Sequence, residues 1–231
     1  MQERTIAGNA ASDIADSAIV RPDTQASHAK ANLSLANQSQ WHLGFVVGPE
    51  WSGLPGNNWE PGLSAGFRIS YRFLPKWTLT TGLSLSKKRY AAKPADYHPK
   101  DTSWRNSRVN NIDASCVVVD LPLNISYRLW SRKHHQVSLS TGLSSYWMHA
   151  EQYLYQYKTS NGEPREWKKS LYDQNQHLFS ILNFSVAYKK TFNRFNIGVA
   201  PYVKIPLSQI GYGRVRLYNA GVQLSFEYRL K

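Results

Sequence analysis

The stretch VVVDLPLNISYRLW, residues 117–130, decides the fold. Apolar residues recur at every second position from Val117 to Leu129, and polar residues such as Asp120, Asn124 and Arg128 stand between them. Such alternation is typical of a β-strand with two unlike faces. In a soluble sheet the apolar face would form the core, whereas in a membrane barrel it would contact lipid and the polar face would line the lumen.

Composition narrows the choice of class. The chain has 231 residues, enough for one large β domain or two small ones, and its formal net charge is +13. No apolar run approaches the roughly 20 residues that a membrane-spanning helix needs. This excludes a helical span but not a barrel, whose strands are short and only half apolar. Cys116 is the single cysteine, so it cannot form an internal disulfide, and we expect it to be a packed small residue.

Residues 1–40 differ from the rest of the chain. They contain no Phe, Tyr or Trp, so all 30 aromatic residues lie in 41–231. A segment this poor in apolar surface buries too little to order itself. We therefore predict a flexible tail or linker over 1–40 and a barrel domain over 41–231. The tail lacks the features of a signal peptide, so we expect the chain to be a trimmed mature form or one part of a longer protein.

Beyond residue 40 the two-residue period recurs in eight segments, without a convincing helical period. Their apolar sets run over Trp41–Val47, Leu63–Phe73, Trp77–Leu85, Val117–Leu129, Val137–Trp147, Leu178–Tyr188, Phe195–Leu207 and Tyr218–Leu230. Pro122 and Pro201 interrupt two of these patterns, and we expect a β-bulge at each.

The connections between the segments alternate in length. Short ones lie near 74–76, 131–135 and 190–194, and longer ones lie at 52–61, 88–114, 154–176 and 208–213. Short turns at one end, long loops at the other and an even strand count are the layout of outer-membrane barrels. The sequence therefore predicts an all-β fold, an eight-stranded antiparallel up-and-down transmembrane β-barrel with short periplasmic turns and longer extracellular loops.

Three observations favour an apolar face in lipid. An eight-stranded barrel is only wide enough for side chains to fill, and the face opposite the large apolar residues is small, as in Thr78–Ser86 and Ser138–Ser144. Aromatic residues such as Trp41 and Trp51 fall at the ends of strands, as interfacial girdles do. Isolated charges of both signs on the polar face suit an internal network in which each charge needs a partner. We predict this network to comprise Glu50, Arg68, Arg72, Asp120, Arg128, Lys204, Glu227 and Arg229.

Two stretches carry a family resemblance. They are DLPLNISYR, Asp120–Arg128, and PYVKIPLSQIGYGRVRLYNAGVQLSFEYRL, Pro201–Leu230. Through them the chain resembles the small outer-membrane β-barrel domain widespread in Bacteroidota, the PorT-like barrels, which are distantly similar to OmpX and OmpA barrels. The resemblance covers about 41–231 and implies an outer-membrane location with both termini in the periplasm. It implies no single activity, since members serve as secretion-machinery parts, signalling-protein anchors and porin-like proteins.

Candidate chemistry is sparse. His149 with Glu151 could form a catalytic dyad with a nearby serine, but serine is so common here that such a set is expected by chance. His134 and His135 could bind a metal, but a basic turn at a membrane edge is the better explanation. We predict no catalytic residue, no metal and no cofactor.

The long connections carry more basic and aromatic residues than barrel closure needs. We predict an extracellular binding surface for lipopolysaccharide or a protein partner, formed by Lys87, Lys88, Arg89, Trp104, Arg105 and Arg108. A solvated loop without a ligand explains the same residues. Basic and aromatic residues together could also indicate nucleic acid, but in an outer-membrane loop lipopolysaccharide phosphates are nearer, and we expect no nucleic-acid partner.

The prediction for function follows. We expect a non-enzymatic outer-membrane barrel that acts as a membrane anchor or as a subunit of an envelope complex for secretion, assembly or signalling. Its partners would be outer-membrane lipids, lipopolysaccharide and other envelope proteins. The alternatives are a lipid-modifying barrel enzyme and a soluble lipocalin-like calyx with its apolar face inside.

Overall fold

A computed structural model describes residues 40–99 and 108–230, and in this part of the chain eight antiparallel strands close into a barrel. The strands are β1 Gln40–Gly53, β2 Glu60–Arg72, β3 Trp77–Ala92, β4 Arg108–Arg132, β5 His135–Lys158, β6 Pro164–Phe192, β7 Phe195–Pro206 and β8 Tyr218–Arg229. Each strand pairs with the next along the chain, and β8 closes the barrel against β1. The predicted fold is confirmed. The predicted tail, residues 1–40, lies outside the described residues except for Gln40, which begins β1.

The apolar face of the barrel wall points outward. Phe67 is 70% exposed, and Leu83 and Leu123 are exposed as well, whereas the intervening Ser84 and Asp120 are buried. The soluble calyx is therefore wrong, because it would require the opposite arrangement. An outer belt of large apolar side chains is stable only where lipid covers it.

Aromatic rings border this apolar belt. At the end with the short turns, Trp41 packs on Tyr71 with ring centroids 4.6 Å apart, and Trp77 packs on Tyr127 at 4.9 Å. Trp51 is exposed near the opposite end of β1. From Trp41 to Trp51 the strand rises about 33 Å at roughly 3.3 Å per residue, or about 25 Å after a tilt of roughly 40°, which matches the apolar band of an outer-membrane barrel.

Three strands are longer than the belt requires. β4, β5 and β6 have 25, 24 and 29 residues, whereas the other strands have between 12 and 16. Two predicted loops are therefore wrong in extent. The segment predicted as loop 88–114 contains the end of β3 and the start of β4, and the segment 154–176 is a β-hairpin with a connection of only 159–163. We call the part of β4–β6 that lies beyond the outer aromatic border, the border that contains Trp51, the extracellular lobe.

The expected bulges at the two prolines are also wrong. Pro122 stays paired with Ser144 and Pro201 with Val222, and neither position shifts the register. Instead, the ladder on the other side of each proline lapses locally and resumes in the same register. The missing N–H of proline thus costs pairing on one side of the strand only.

A bulge elsewhere changes the interior. The β5–β6 register shifts between Met148 and Ala150, which places His149 outside and turns Glu151, Tyr153 and Tyr155 inward. Above this bulge the interior becomes an apolar core, with members including Leu54, Tyr90, Ile112, Cys116, Val118, Tyr153, Tyr155, Ile210 and Leu217. Cys116 is buried in this core, as expected. The barrel therefore has a polar lumen at membrane depth and an aromatic core toward its outer end.

Candidate functional site: the lumen, the outer cap and the basic outer face

Ion pairs cross the lumen toward the outer end of the barrel, which we call the upper end; the turn end is the lower end. The Nζ atom of Lys88 lies 2.9 Å from Oε1 of Glu50, and both side chains are 1% exposed. Tyr202 donates its hydroxyl to the other Glu50 oxygen at 3.0 Å. Lys204 forms a second ion pair with Asp120. Each carboxylate is thus neutralised where the low dielectric makes an unpaired charge costly.

Lys88 was predicted as part of an extracellular surface, and its placement corrects that prediction. It lies in β3 with the same parity as Ser84 and Ser86, so its side chain enters the lumen. The sequence signal for this placement is the alternation of β3, which continues beyond Leu85 and assigns Lys88 to the polar face. Lys87 and Arg89 also belong to β3 rather than to a loop, but they are exposed and point outward.

Three members of the predicted outer surface remain. Trp104 and Arg105 lie outside the described residues. Arg108 begins β4, and only its backbone is described. The described part of the predicted surface is therefore the pair Lys87 and Arg89, which follow Leu85 along the outward face of β3.

The middle of the lumen holds a third ion pair. Lys189 lies 2.7 and 2.8 Å from the two oxygens of Glu227. Arg68 donates to Oε1 of Gln223 at 2.8 Å. Lys189 was missed in the sequence because it falls next to a turn, although its parity with Asn183 on β6 places it inside.

The lower lumen holds arginines without carboxylate partners among the described residues. Arg72 donates from Nη1 to Gln40 at 3.1 Å, and Arg229 donates to the backbone carbonyl of Asn193 at 3.3 Å. Together with Arg128, these two arginines line a cavity of about 270 Å³. We call this cavity the vestibule. Its lining includes Lys133 and Asn193 of the short turns, so it opens at the turn end of the barrel.

The outer end of the barrel is covered by a cap, which we define as residues 207–217 together with Tyr97 and the side chains that hold them. Buried Glu151 accepts hydrogen bonds from the Tyr153 hydroxyl at 2.5 Å and from the Tyr212 backbone N–H at 2.8 Å. Asn175 donates to the other Glu151 oxygen at 2.5 Å. One carboxylate thereby fixes a long connection to two strands.

Two further contacts complete the cap. His177 accepts a hydrogen bond from the Gly211 N–H at 2.9 Å. The hydroxyls of Tyr97 and Tyr155 lie 2.6 Å apart. Burial, followed by this hydrogen bond, raises the pKa of Tyr97 well above its usual value. The Tyr97 hydroxyl therefore stays neutral, and it acts as a hydrogen-bonding group rather than as a charge.

The proposed dyad of His149 with Glu151 does not form. The bulge directs Glu151 inward, while His149 is exposed and its Nδ1 lies 2.9 Å from Oδ1 of Asp173. Over residues 40–99 and 108–230, no hydrogen bond joins a serine to His149. Within that part of the chain, no group of His, Cys, Asp and Glu side chains is arranged to hold a metal ion, and no helix is long and apolar enough to span a membrane.

An exposed apolar belt, two aromatic borders and a polar interior together define an integral membrane β-barrel. The family model described as "Outer membrane protein beta-barrel domain" matches residues 25–230, and the chain belongs to this family. It is accordingly an outer-membrane protein. No curated protein matches the chain.

Solved structures resemble the chain at low sequence identity. Ail, the attachment invasion locus protein of Yersinia pestis, is 11% identical, with a TM-score of 0.42 over 84% of this chain and 99% of that one. Neisserial surface protein A is 7% identical, with a TM-score of 0.47 over 82% and 97%. OprG from Pseudomonas aeruginosa is 10% identical, with a TM-score of 0.40 over 84% and 96%.

Proposed function

We propose that the protein is a non-enzymatic barrel that serves as an anchor or subunit of an envelope assembly and contacts its partner through the extracellular lobe. The observation that carries this proposal is the continuation of β4–β6 as paired strands beyond the membrane belt, where Glu151 joins them to the cap. A lobe built from paired strands presents a fixed surface, which lowers the entropic cost of binding. The resemblance to PorT-like barrels supports such a role, since members include secretion-machinery parts and signalling anchors.

The state of the lumen supports an anchoring role over transport. The ion pairs of Glu50 with Lys88 and of Asp120 with Lys204 lie across the narrow lumen between the vestibule and the outer end of the barrel. The apolar core with its tyrosines lies above them. A solute would have to break both layers to pass.

Lipopolysaccharide is the proposed ligand of the outer face. Lys87 and Arg89 follow Leu85 on the outward face, where the apolar belt gives way to polar residues. Charge-assisted hydrogen bonds from these cations would suit the phosphates of lipid A. Trp104, Arg105 and Arg108 remain predicted members of this surface.

The lobe is tested by shortening its hairpin. Replacing residues 156–166 with Asn-Gly removes the outermost rungs, in which Tyr157 pairs with Arg165, while Tyr155 and Trp167 remain. We expect folding to persist and recovery of native complexes from outer membranes to fall. The matched control is the double variant Lys87→Gln, Arg89→Gln, which should retain the complex and lose lipopolysaccharide binding. Unchanged recovery after shortening would refute the role of the hairpin.

A second candidate function is lipid modification, favoured by the exposed pair of His149 and Asp173 at the outer end of the barrel. An enzyme of this kind would lose its activity in the variant His149→Ala while keeping its complexes. Mass spectrometry of lipid A from cells that express each form distinguishes the two functions. Modified lipid A that depends on His149 would establish the enzyme.

A further inference from the structure

The vestibule carries far more positive than negative charge. The cavity is lined by eight Lys or Arg side chains and two carboxylates. Two of these cations, Lys76 and Lys133, are exposed in the short turns, and the carboxylates are Asp120 and Glu227. Without these two turn lysines, an excess of four positive charges remains inside a narrow barrel, and it is electrostatically unfavourable unless anions compensate it.

The two carboxylates are already engaged. Asp120 pairs with Lys204, and Glu227 accepts both of its hydrogen bonds from Lys189. No carboxylate of the described residues pairs with Arg72 or Arg128. The Nε atoms of these two arginines are buried and have no hydrogen-bond partner within the described part of the chain. A buried donor without a partner is unfavourable, and more so when it is charged.

The shape of the vestibule fits a ligand that enters from the periplasm. Its lining reaches the turn residues Lys76, Lys133 and Asn193 at the open end. At the other end it reaches the pair Asp120 and Lys204, above which Glu50 and Lys88 also cross the lumen. A volume of about 270 Å³ is slightly below the range of drug-sized pockets. Only a small ligand fits.

We propose that the vestibule is a periplasmic binding site for a phosphate-class anion, with Arg72 and Arg128 as its main donors. The ligand is inorganic phosphate or the phosphoryl group of a small ester. A planar guanidinium presents parallel N–H groups that match the oxygens of a phosphoryl group, which a point charge such as chloride cannot exploit. The anion occupies the unpartnered Nε donors and compensates the excess charge. This site is independent of the extracellular lobe and of its partners.

The test uses the whole chain folded in detergent micelles. Folding is checked on a denaturing gel, where the unheated folded barrel migrates differently from the heated protein. Inorganic phosphate is titrated by calorimetry at constant ionic strength in sodium chloride. We expect saturable binding with one anion per barrel. The variants Arg128→Gln and Arg72→Gln should weaken it by at least about tenfold, which corresponds to 1.4 kcal/mol. Arg128→Lys should retain part of the affinity, because it keeps the charge but loses the planar donors.

The matched control is Lys87→Gln, which removes the same charge from the outer face and should leave phosphate binding unchanged. Glycerol 3-phosphate, titrated in parallel, separates the two sources: tighter binding of the ester indicates a phosphorylated metabolite, and tighter binding of the free ion indicates phosphate itself. The proposal is overturned if the wild-type protein binds neither anion, if Lys87→Gln weakens binding as much as Arg128→Gln does, or if a hexaglutamate peptide binds while both phosphates do not.

Discussion

At the residue scale, the pair of Glu50 and Lys88 shows what a charge in a barrel lumen requires. The variant Lys88→Met leaves the carboxylate of Glu50 buried, with the Tyr202 hydroxyl but no cation beside it. Breaking a buried pair in this way costs about 3–5 kcal/mol. We expect this loss in the free energy of unfolding, measured by urea titration of the protein in lipid vesicles.

The neighbouring residue provides the control. Lys87→Met changes the same side chain in the same way but on the outer face, and its cost should stay below about 1 kcal/mol. The double variant Lys88→Met, Glu50→Leu should regain much of the stability, because it removes both charges together. Equal losses for Lys87→Met and Lys88→Met would contradict the assignment of the two faces.

Single positions were predictable wherever the alternation was followed to its end. Glu50, Asp120 and Glu227 were placed on the polar face by parity alone, and the structure places them inside. Lys88 and Lys189 obey the same parity, but Lys88 lies at the start of the predicted loop 88–114, and Lys189 lies next to the predicted turn 190–194. The pairing itself was not predictable, because it joins strands that are far apart in the chain, as with Asp120 and Lys204.

At the scale of elements, the carboxylate of Glu151 holds the β7–β8 connection to β5. The variant Glu151→Leu removes the acceptor of the Tyr212 N–H, the Tyr153 hydroxyl and the Asn175 amide. Hydrogen bonds to a charged group contribute about 1.5–3 kcal/mol each. We expect faster amide hydrogen exchange in residues 207–217 and unchanged exchange in the membrane-spanning part of the strands.

The control for this variant is His149→Leu, two residues away on the exposed side of the bulge. It should leave exchange in 207–217 unchanged. If both variants, or neither, accelerate exchange there, Glu151 does not hold the cap.

The extents of the strands were harder to predict than the fold, because the alternation of apolar residues changes outside the membrane. Within the belt, lipid requires large apolar residues on alternate positions, and all eight segments showed them. In the extracellular lobe the strands contact water on one side and an aromatic core on the other. Their sequence therefore shows single aromatic residues, such as Tyr153, Tyr155 and Trp167, among polar ones. Such a stretch resembles a loop in sequence, which explains why 154–176 was not predicted as a hairpin.

At the scale of the whole molecule, the barrel is a closed sheet that contacts lipid on its outer face and encloses a network of polar side chains. The closing contact of β8 with β1 pairs residues near both ends of the described chain, such as Leu43 with Tyr228. Closure removes exposed strand edges, which hydrocarbon cannot hydrate. Strand number and the direction of the apolar face were therefore predictable together, since only a barrel satisfies both constraints.

The orientation of the wall in lipid predicts a depth-dependent cost. Leu123 and Leu129 both lie exposed on the outward face of β4, the first toward the middle of the belt and the second near the turn end. An arginine at the bilayer midplane costs about 2–4 kcal/mol, and near the interface about 0–1 kcal/mol, because the side chain then reaches water. Unfolding in vesicles should therefore show a large loss for Leu123→Arg and a small one for Leu129→Arg. Equal costs would mean that depth in the bilayer does not govern this face, and a stabilising effect of Leu123→Arg would place the face in water.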